Sequence, residues 1–334
     1  MTASAASGGI MKTVNIGLLG LGNIGTGTYK VLEMNRSQIE KAAGSQVAIA
    51  QILEKDVSKQ RDINVAPALF TQNPDDIFNN PEIDIVIELL GGIEPATTFM
   101  LDAMKRKKHV VTANKAAVAA NFDKLMNCAK ENNVIFRFEA SVAGGIPILN
   151  AITSVLQGNE FYEVMGIVNG TTNYILTQMT DNGLEYDDVL KVAQEKGFAE
   201  ADPTDDVEGI DVANKLTILM SLMFGKYVKP GDIPTEGISK ITKKQIEDAK
   251  AQGCKIKLLA NAKNLDGKFE YSVKPTLLKE NHPLCGVSNE FNAVFVSGNA
   301  VGDLMFYGKG AGPLPTGSAV LGDVIEIAKA INGA

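Results

Sequence analysis

The chain has 334 residues, 45% of them hydrophobic and 21% charged, enough to bury the cores of two domains. A formal net charge of −7 and the lack of any long Lys/Arg block argue against a nucleic-acid footprint. The densest basic cluster, "MKRKKH" at 104–109, falls at the end of a predicted helix, where cations complement the macrodipole. No apolar run approaches the roughly 18 residues of a membrane span. Three scattered cysteines, Cys128, Cys254 and Cys285, form neither a disulfide framework nor a zinc spacing, so a cytoplasmic protein is expected.

The chain opens on "MTASAASGGI", which lacks the basic and apolar regions of a secretory signal; a flexible tail over 1–12 is expected, with Met11 as an alternative start. A strand from Val14 to Leu19 then enters Gly20-Leu21-Gly22-Asn23-Ile24-Gly25 and a helix running toward Lys41. Between a strand and a helix, this spacing is a dinucleotide fingerprint. Gly20 allows the tight turn, Gly22 a close approach of pyrophosphate, and Gly25 helix–strand packing, with the phosphates on the helix N-terminus. The next strand, 46–53, is followed by "EKDVSKQR". Glu54 or Asp56 fits a ribose hydroxyl there, whereas Lys55, Lys59 and Arg61 fit a 2′-phosphate; NADP is favoured over NAD, with Lys55 as the phosphate partner.

Strands at 83–89, 109–112 and 134–138 alternate with helices at 95–107 and 114–132, the pattern of a parallel, doubly wound sheet. The expected fold class is α/β, with a Rossmann-type dinucleotide-binding domain over 13–150. Beyond Pro147 the pattern changes to a strand at 161–168, a helical region at 171–224 and a strand-rich stretch containing "KIKLLANAK", "KFEYSVKPTLL" and "NAVFVSG". A second, α+β domain over 151–304, serving catalysis and dimerisation, follows. The terminal "GKGAGPLPTGSAVLGDVIEIAKAI" is a glycine-rich loop entering an apolar helix, so 305–334 is assigned back to the first domain.

Ligands of open parallel sheets collect at the carboxyl ends of the strands, where "ELLGG", "TANKAAVA" and "FEASVAGGIP" fall. Lys115 stands at a helix start, where the dipole disfavours a cation. It is either functional or a snorkelling surface lysine. The carbonyls of "ASVAGGIP" either face a ligand or ion or belong to a domain linker. In "GFAEADPTDDVEGIDVANK", a helix from Asp205 onward puts Ile210, Ala213, Leu216, Thr217 and Met220 on one buried stripe, with Lys215 at its edge one turn after Asp211. Asp205 and Glu208 have the three-residue spacing of a capping box. Two histidines, His109 and His282, leave lysines as the proton handlers of an alcohol dehydrogenase. Lys115 near Lys215 is expected to lower the pKa of both, Asp211 to orient, and Glu200 and Asp206 to grip a substrate ammonium.

The segment from Ala193 to Lys215, with Gly197, Asp202-Pro203, Asp206, Gly209, Asp211 and Lys215, resembles the signature of homoserine dehydrogenases. "GLLGLGNIG", "TANK", "FEASVAGGIPI", "GIVNGTTNYIL" and "FYGKGAGPLPTGSAV" extend the resemblance over nearly the whole chain after residue 13. The resemblance implies NAD(P)-dependent interconversion of L-homoserine and L-aspartate 4-semialdehyde by a homodimer, with Lys115 and Lys215 as the catalytic pair. It also implies Gly170 and Thr171 in the substrate loop, and Asn23, Ile24, Thr112, Lys115 and Gly312 at the cofactor. A monovalent cation, sodium, would be held by carbonyls at Glu139, Val142, Gly144 and Ile146. Many relatives continue into a C-terminal ACT domain, whereas this chain stops just after Ile331; strong remote inhibition by threonine is not expected. A semialdehyde dehydrogenase with a cysteine nucleophile and a non-catalytic nucleotide sensor are the alternatives.

Overall fold

The computed structural model describes residues 12–333; the predicted tail lies outside them except for Lys12. The first domain runs β1 (Thr13–Leu19), α1 (Asn23–Ala43), β2 (Gln46–Leu53), β3 (Phe70–Thr71), α2 (Asp75–Phe78), β4 (Ile85–Glu88), α3 (Ala96–Lys105), β5 (His109–Thr112), α4 (Lys115–Ala120), α5 (Phe122–Asn132) and β6 (Phe136–Arg137). Its strands pair in parallel in the order β3-β2-β1-β4-β5-β6. The winding therefore reverses between β1 and β4, which opens a crevice at their carboxyl ends. Helices cover both faces, so Val14, Ile16, Leu18, Ile85, Val86 and Ile87 are fully buried, β4 is buried throughout and β1 is buried without alternation from Ile16 onward.

Several expectations need correction here. The strands expected at 83–89 and 134–138 shorten to Ile85–Glu88 and Phe136–Arg137. The helix expected at 114–132 is two, broken at Asn121 (φ −131°), whose amide donates to Thr97 Oγ1 (3.2 Å). The helix expected to reach 107 ends at Lys105, because Lys107 adopts a left-handed conformation (φ 62°). Its basic cluster is not all surface charge: Lys108 is buried, and its ammonium donates to the carbonyls of Asn80 (2.6 Å) and Ile83 (2.9 Å).

The second domain follows as α6 (Ile148–Asn150, continuing as a wider π turn to Val155), β7 (Phe161–Ile167), α7 (Gly170–Asn182), α8 (Tyr186–Glu195), α9 (Thr204–Val207), α10 (Ile210–Phe224), α11 (Lys243–Ala251), β8 (Cys254–Leu265), β9 (Lys268–Lys279), β10 (Phe291–Gly298) and β11 (Gly302–Lys309). The strands form an antiparallel sheet, β11-β10-β7-β8-β9. The continuous helix expected from Asp205 is interrupted. Gly209 is left-handed (φ 80°) between α9 and α10, and no Asp205–Glu208 capping box forms. Asp202 instead accepts from Thr204 N (3.1 Å). Ile210, expected on the buried stripe, opens α10 and is 42% exposed, whereas Ala213, Leu216, Thr217 and Met220 are buried.

α12 (Pro313–Asn332) returns to pack along α1, where Val320, Val324 and Ile327 share a core with Val31 and Leu32. β11 is part of the second sheet, so the return comes after Lys309 and not at residue 305 as expected. Among the described residues no helix is long and apolar enough to cross a membrane.

Candidate active site

α10 carries Asp211 and Lys215 one turn apart, both buried. Lys215 Nζ donates to Asp211 Oδ2 (2.7 Å) and to the carbonyl of Val168 (2.6 Å), where the chain has just left β7. An ammonium has three donors, so one N–H is left, and Lys215 lines the cleft. Lys115 comes from the other domain as the first residue of α4, which packs against α10. Its Nζ is 2.9 Å from Asp211 Oδ1, an ion pair without hydrogen-bond alignment. One carboxylate thus holds two lysines from two domains. Asn169 completes the network: its Oδ1 accepts from Thr172 N and caps α7, while its Nδ2 donates to Asp206 Oδ1 (2.7 Å) and Asp211 Oδ2 (2.9 Å).

The two lysines differ electrostatically. Burial pulls the Lys215 ammonium below its ordinary pKa, against the attraction of Asp211, and the charge of Lys115 adds to the lowering. Lys115 is 43% exposed and is raised, chiefly by the charge of Asp211. The expectation that both are lowered fails for Lys115, because the charge of the Asp211 carboxylate outweighs the lowering effect of burial. Burial works to raise Asp211, but the ammonium groups of Lys215 and Lys115 more than offset it and hold the carboxyl well below its usual range. Asp206 is raised, mainly by burial.

The cleft has two lobes that share Ile24, Lys115, Asp206 and Asp211. One, of about 420 Å³, is bounded by Gly91, Gly92, Asn114 and Glu200. The other, of about 490 Å³, is bounded by Gly170, Thr171, Lys196, Gly312 and Thr316. Gly170 and Thr171 open α7, and among the described residues no acceptor meets their N–H groups, so the helix start presents two free donors of the polarity that favours an anion. Cys128 and Cys285 are buried and no cysteine lines either lobe, which removes the geometry a cysteine nucleophile requires.

At the fingerprint, a Cβ on Gly25 would lie 2.3 Å from Gly20 O, Gly20 itself has φ 93°, and a Cβ on Gly22 would meet nothing within 4 Å. A close-packed turn under open space at a helix N-terminus fits a pyrophosphate. Glu54 Oε2 accepts from Leu21 N (3.0 Å) and pairs with Arg61 (3.0 Å), whose Nε donates to Leu21 O (2.9 Å). Lys30, Lys59 and Arg61 line the adjoining cavity with Gly22 and Asn23. Lys55 is exposed and does not line it; its carbonyl accepts from Gln72 Nε2 (2.7 Å). Thr112 is fully buried, and its hydroxyl donates to Glu88 Oε2 (2.6 Å).

In the loop expected to hold a cation, the carbonyls of Glu139 and Ile146 accept from Val142 N (3.3 Å) and Ile148 N (2.9 Å), while among the described residues no donor meets those of Val142 and Gly144. No cluster of three or more His, Cys, Asp or Glu side chains suited to a metal occurs among the described residues. Sequence reasoning missed the bridging amide of Asn169, the Val168 carbonyl, the buried Glu88 and Lys196. Only Asn169 carried a signal, as a capping residue before a helix.

The family profile described as "Homoserine dehydrogenase" matches residues 147–325, and "Homoserine dehydrogenase, NAD binding domain" matches residues 20–139. A homoserine dehydrogenase of Bacillus subtilis is 46% identical over 319 residues, 96% of this chain and 74% of that protein. The crystal structure of a homoserine dehydrogenase from Thiobacillus denitrificans superposes with a TM-score of 0.92 at 43% identity, covering 97% of this chain and 75% of the other. A hyperthermophilic archaeal homoserine dehydrogenase in complex with NADPH superposes with a TM-score of 0.77 at 27% identity, covering 94% and 97%. With both profiles matched and this identity spread over nearly all of its length, the chain belongs to the homoserine dehydrogenase family.

Proposed function

We propose that the chain interconverts L-homoserine and L-aspartate 4-semialdehyde, a step toward threonine, methionine and isoleucine, with Lys215 exchanging the proton at the reacting oxygen. The observation that carries this reading is the buried Lys215 ammonium, held by Asp211 and Val168 with one N–H uncommitted in the cleft. A bound nicotinamide nucleotide supplies the hydride in reduction and takes it up in oxidation. In reduction Lys215 gives a proton to the carbonyl oxygen; in oxidation it takes the proton of the hydroxyl. Lys115, kept charged by Asp211, stabilises negative charge on that oxygen. Asp211 orients both lysines. Glu200 and Asp206 pair with the substrate ammonium, and Gly170 N and Thr171 N at the start of α7 take its carboxylate.

Gly20, Gly22, Asn23, Ile24, Gly25 and Gly312 would hold the nucleotide. NADP is the preferred form: Glu54 is neutralised by Arg61, and Lys59 and Arg61 face the cavity, where Lys30 is paired with Asp62. The 2′-phosphate role therefore passes from Lys55 to Lys59 and Arg61. The carbonyls of Glu139, Val142, Gly144 and Ile146 would hold a sodium ion, a hard cation suited to oxygen, and so fix the loop between the domains. A homodimer is supported by the sheet face away from the helices, where Met305, Phe295 and Met165 are neighbours in register and Tyr307 is 53% exposed.

The test is steady-state turnover with homoserine and NADP. Lys215→Ala should lose roughly 10²- to 10⁴-fold in kcat, the usual worth of general acid–base help, while NADP affinity is retained. A Lys215→Ala enzyme with wild-type kcat would sink the assignment.

A further inference from the structure

We propose that Lys196 recognises the substrate's α-carboxylate by charge and sets the enzyme's preference for zwitterionic amino-acid alcohols over simple amino alcohols. The inference rests on the reading above, which puts homoserine between the acidic wall of Glu200 and Asp206 and the start of α7.

Homoserine carries two opposite charges beside its reacting alcohol. The ammonium meets two carboxylates, but the amides of Gly170 and Thr171 offer the carboxylate no formal charge. Lys196 lines the same lobe of the cleft as those amides. Its Nζ donates to Tyr174 Oη (3.2 Å) and lies 5.6 Å from the centroid of that ring, and among the described residues no carboxylate comes within ion-pairing distance of it. Tyr174 is on α7, so the ammonium is tethered to the helix whose N-terminus faces the ligand. The backbone that carries Lys196 is tied to the same place. Thr171 Oγ1 donates to Phe198 O (2.6 Å), and the rings of Phe198 and Tyr174 are 4.8 Å apart.

Lys196 follows the last residue of α8, where a cation also complements the helix dipole. That role needs a charge near the helix end but no attachment to α7. The other charged residues lining the lobe leave the position open. Lys115 and Lys215 are paired with Asp211, Asp206 is bonded to Asn169 and Thr171, and Glu290 repels a carboxylate. Lys309, at the end of β11, also lines the lobe, but among the described residues no side-chain hydrogen bond ties it to α7 as Tyr174 ties Lys196. Lys196 therefore supplies a cation at the α7 end of the lobe, and a phenol hydroxyl is a partner that a carboxylate readily displaces.

The experiment compares wild type, Lys196→Met and Lys196→Arg, using homoserine as substrate and two competitive inhibitors: L-2-aminobutyrate, which has the ammonium and carboxylate, and 3-aminopropan-1-ol, which has no carboxylate. Losing one charge-assisted hydrogen bond predicts that Lys196→Met raises KM for homoserine and Ki for L-2-aminobutyrate about tenfold. The Ki of 3-aminopropan-1-ol and the KM of NADP should stay within about twofold, a change too small to count as a lost contact, and Lys196→Arg should recover most of the loss. An unchanged KM for homoserine, or equal increases for both inhibitors, overturns the proposal. If Lys196→Met melts early, Lys196→Gln carries the same comparison. Asp206→Asn separates the two readings: it raises the KM of homoserine if the ammonium wall is correctly placed, whatever Lys196 does.

Discussion

At the scale of single residues the site is an arrangement of unequal lysines around one carboxylate. Lys215 is lowered by burial and Lys115 is raised by Asp211, so of the two Lys215 is the one suited to exchanging a proton and Lys115 the one suited to remaining charged. The oxidation direction requires Lys215 without its proton, so kcat/KM for homoserine should rise with pH until Lys215 is neutral. Asp211 favours the ammonium form of Lys215; in Asp211→Asn that attraction is gone and the pKa of Lys215 falls further. The midpoint of the alkaline rise should therefore move to lower pH, while the maximal rate drops about 10²-fold because both lysines lose their orienting partner. The pH profile of kcat/KM for Asp211→Asn checks this, and a midpoint that stays in place or moves upward would refute it.

At the scale of elements, α1 and α12 cross in backbone contact because two glycines make room. A Cβ on Gly27 would lie 2.2 Å from Pro313 O, and one on Gly317 would lie 2.7 Å from Thr28 N. In the same helix, a Cβ on Gly322 would meet nothing within 4 Å. Two substitutions in α12 should thus have opposite signs. Gly322→Ala should stabilise by ~0.5–1 kcal/mol through helix propensity. Gly317→Ala gains the same propensity but overpacks the crossing, at a cost of ~1–3 kcal/mol, and should be net destabilising. Urea unfolding of the two variants decides; a stabilised Gly317→Ala would mean that the helices separate easily. The fingerprint helix was legible in sequence because its glycine spacing is local and falls between a strand and a helix. The α9–α10 break was not, since Gly209 in an otherwise helical pattern does not announce a left-handed turn. Nor was the bridge made by Asn169, whose two carboxylate partners lie 37 and 42 residues further along the chain. Proximity to the strand end singled out Lys55 but says nothing about which cation the following loop folds back onto the fingerprint, where Lys59 and Arg61, and not Lys55, line the cavity.

At the scale of the whole molecule, the cleft exists because the chain crosses between the domains twice, after residue 138 and again after Lys309, and the two crossings touch. Gly145 N donates to Lys309 O (3.2 Å), and a Cβ on Gly144 would lie 2.4 Å from Gly310 O. Lys115 belongs to one domain and Asp211 with Lys215 to the other, so the 2.9 Å ion pair between Lys115 and Asp211 depends on how these crossings set the domains. Gly144 also has φ 54°, a conformation that costs an L-residue ~1–2 kcal/mol. Gly144→Ala should therefore push the Gly310 loop away and spread the two halves of the site. Misplacement by about 1 Å is enough to lose ~10²-fold in rate, so kcat/KM for homoserine should fall by at least tenfold. Gly312 follows in the displaced loop, so NADP affinity measured by titration should fall too, but by less than kcat/KM, because the fingerprint lies wholly within the first domain. Parallel losses of NADP binding and turnover would instead mean that the crossing supports the nucleotide domain itself and that the relative setting of the two domains is fixed elsewhere.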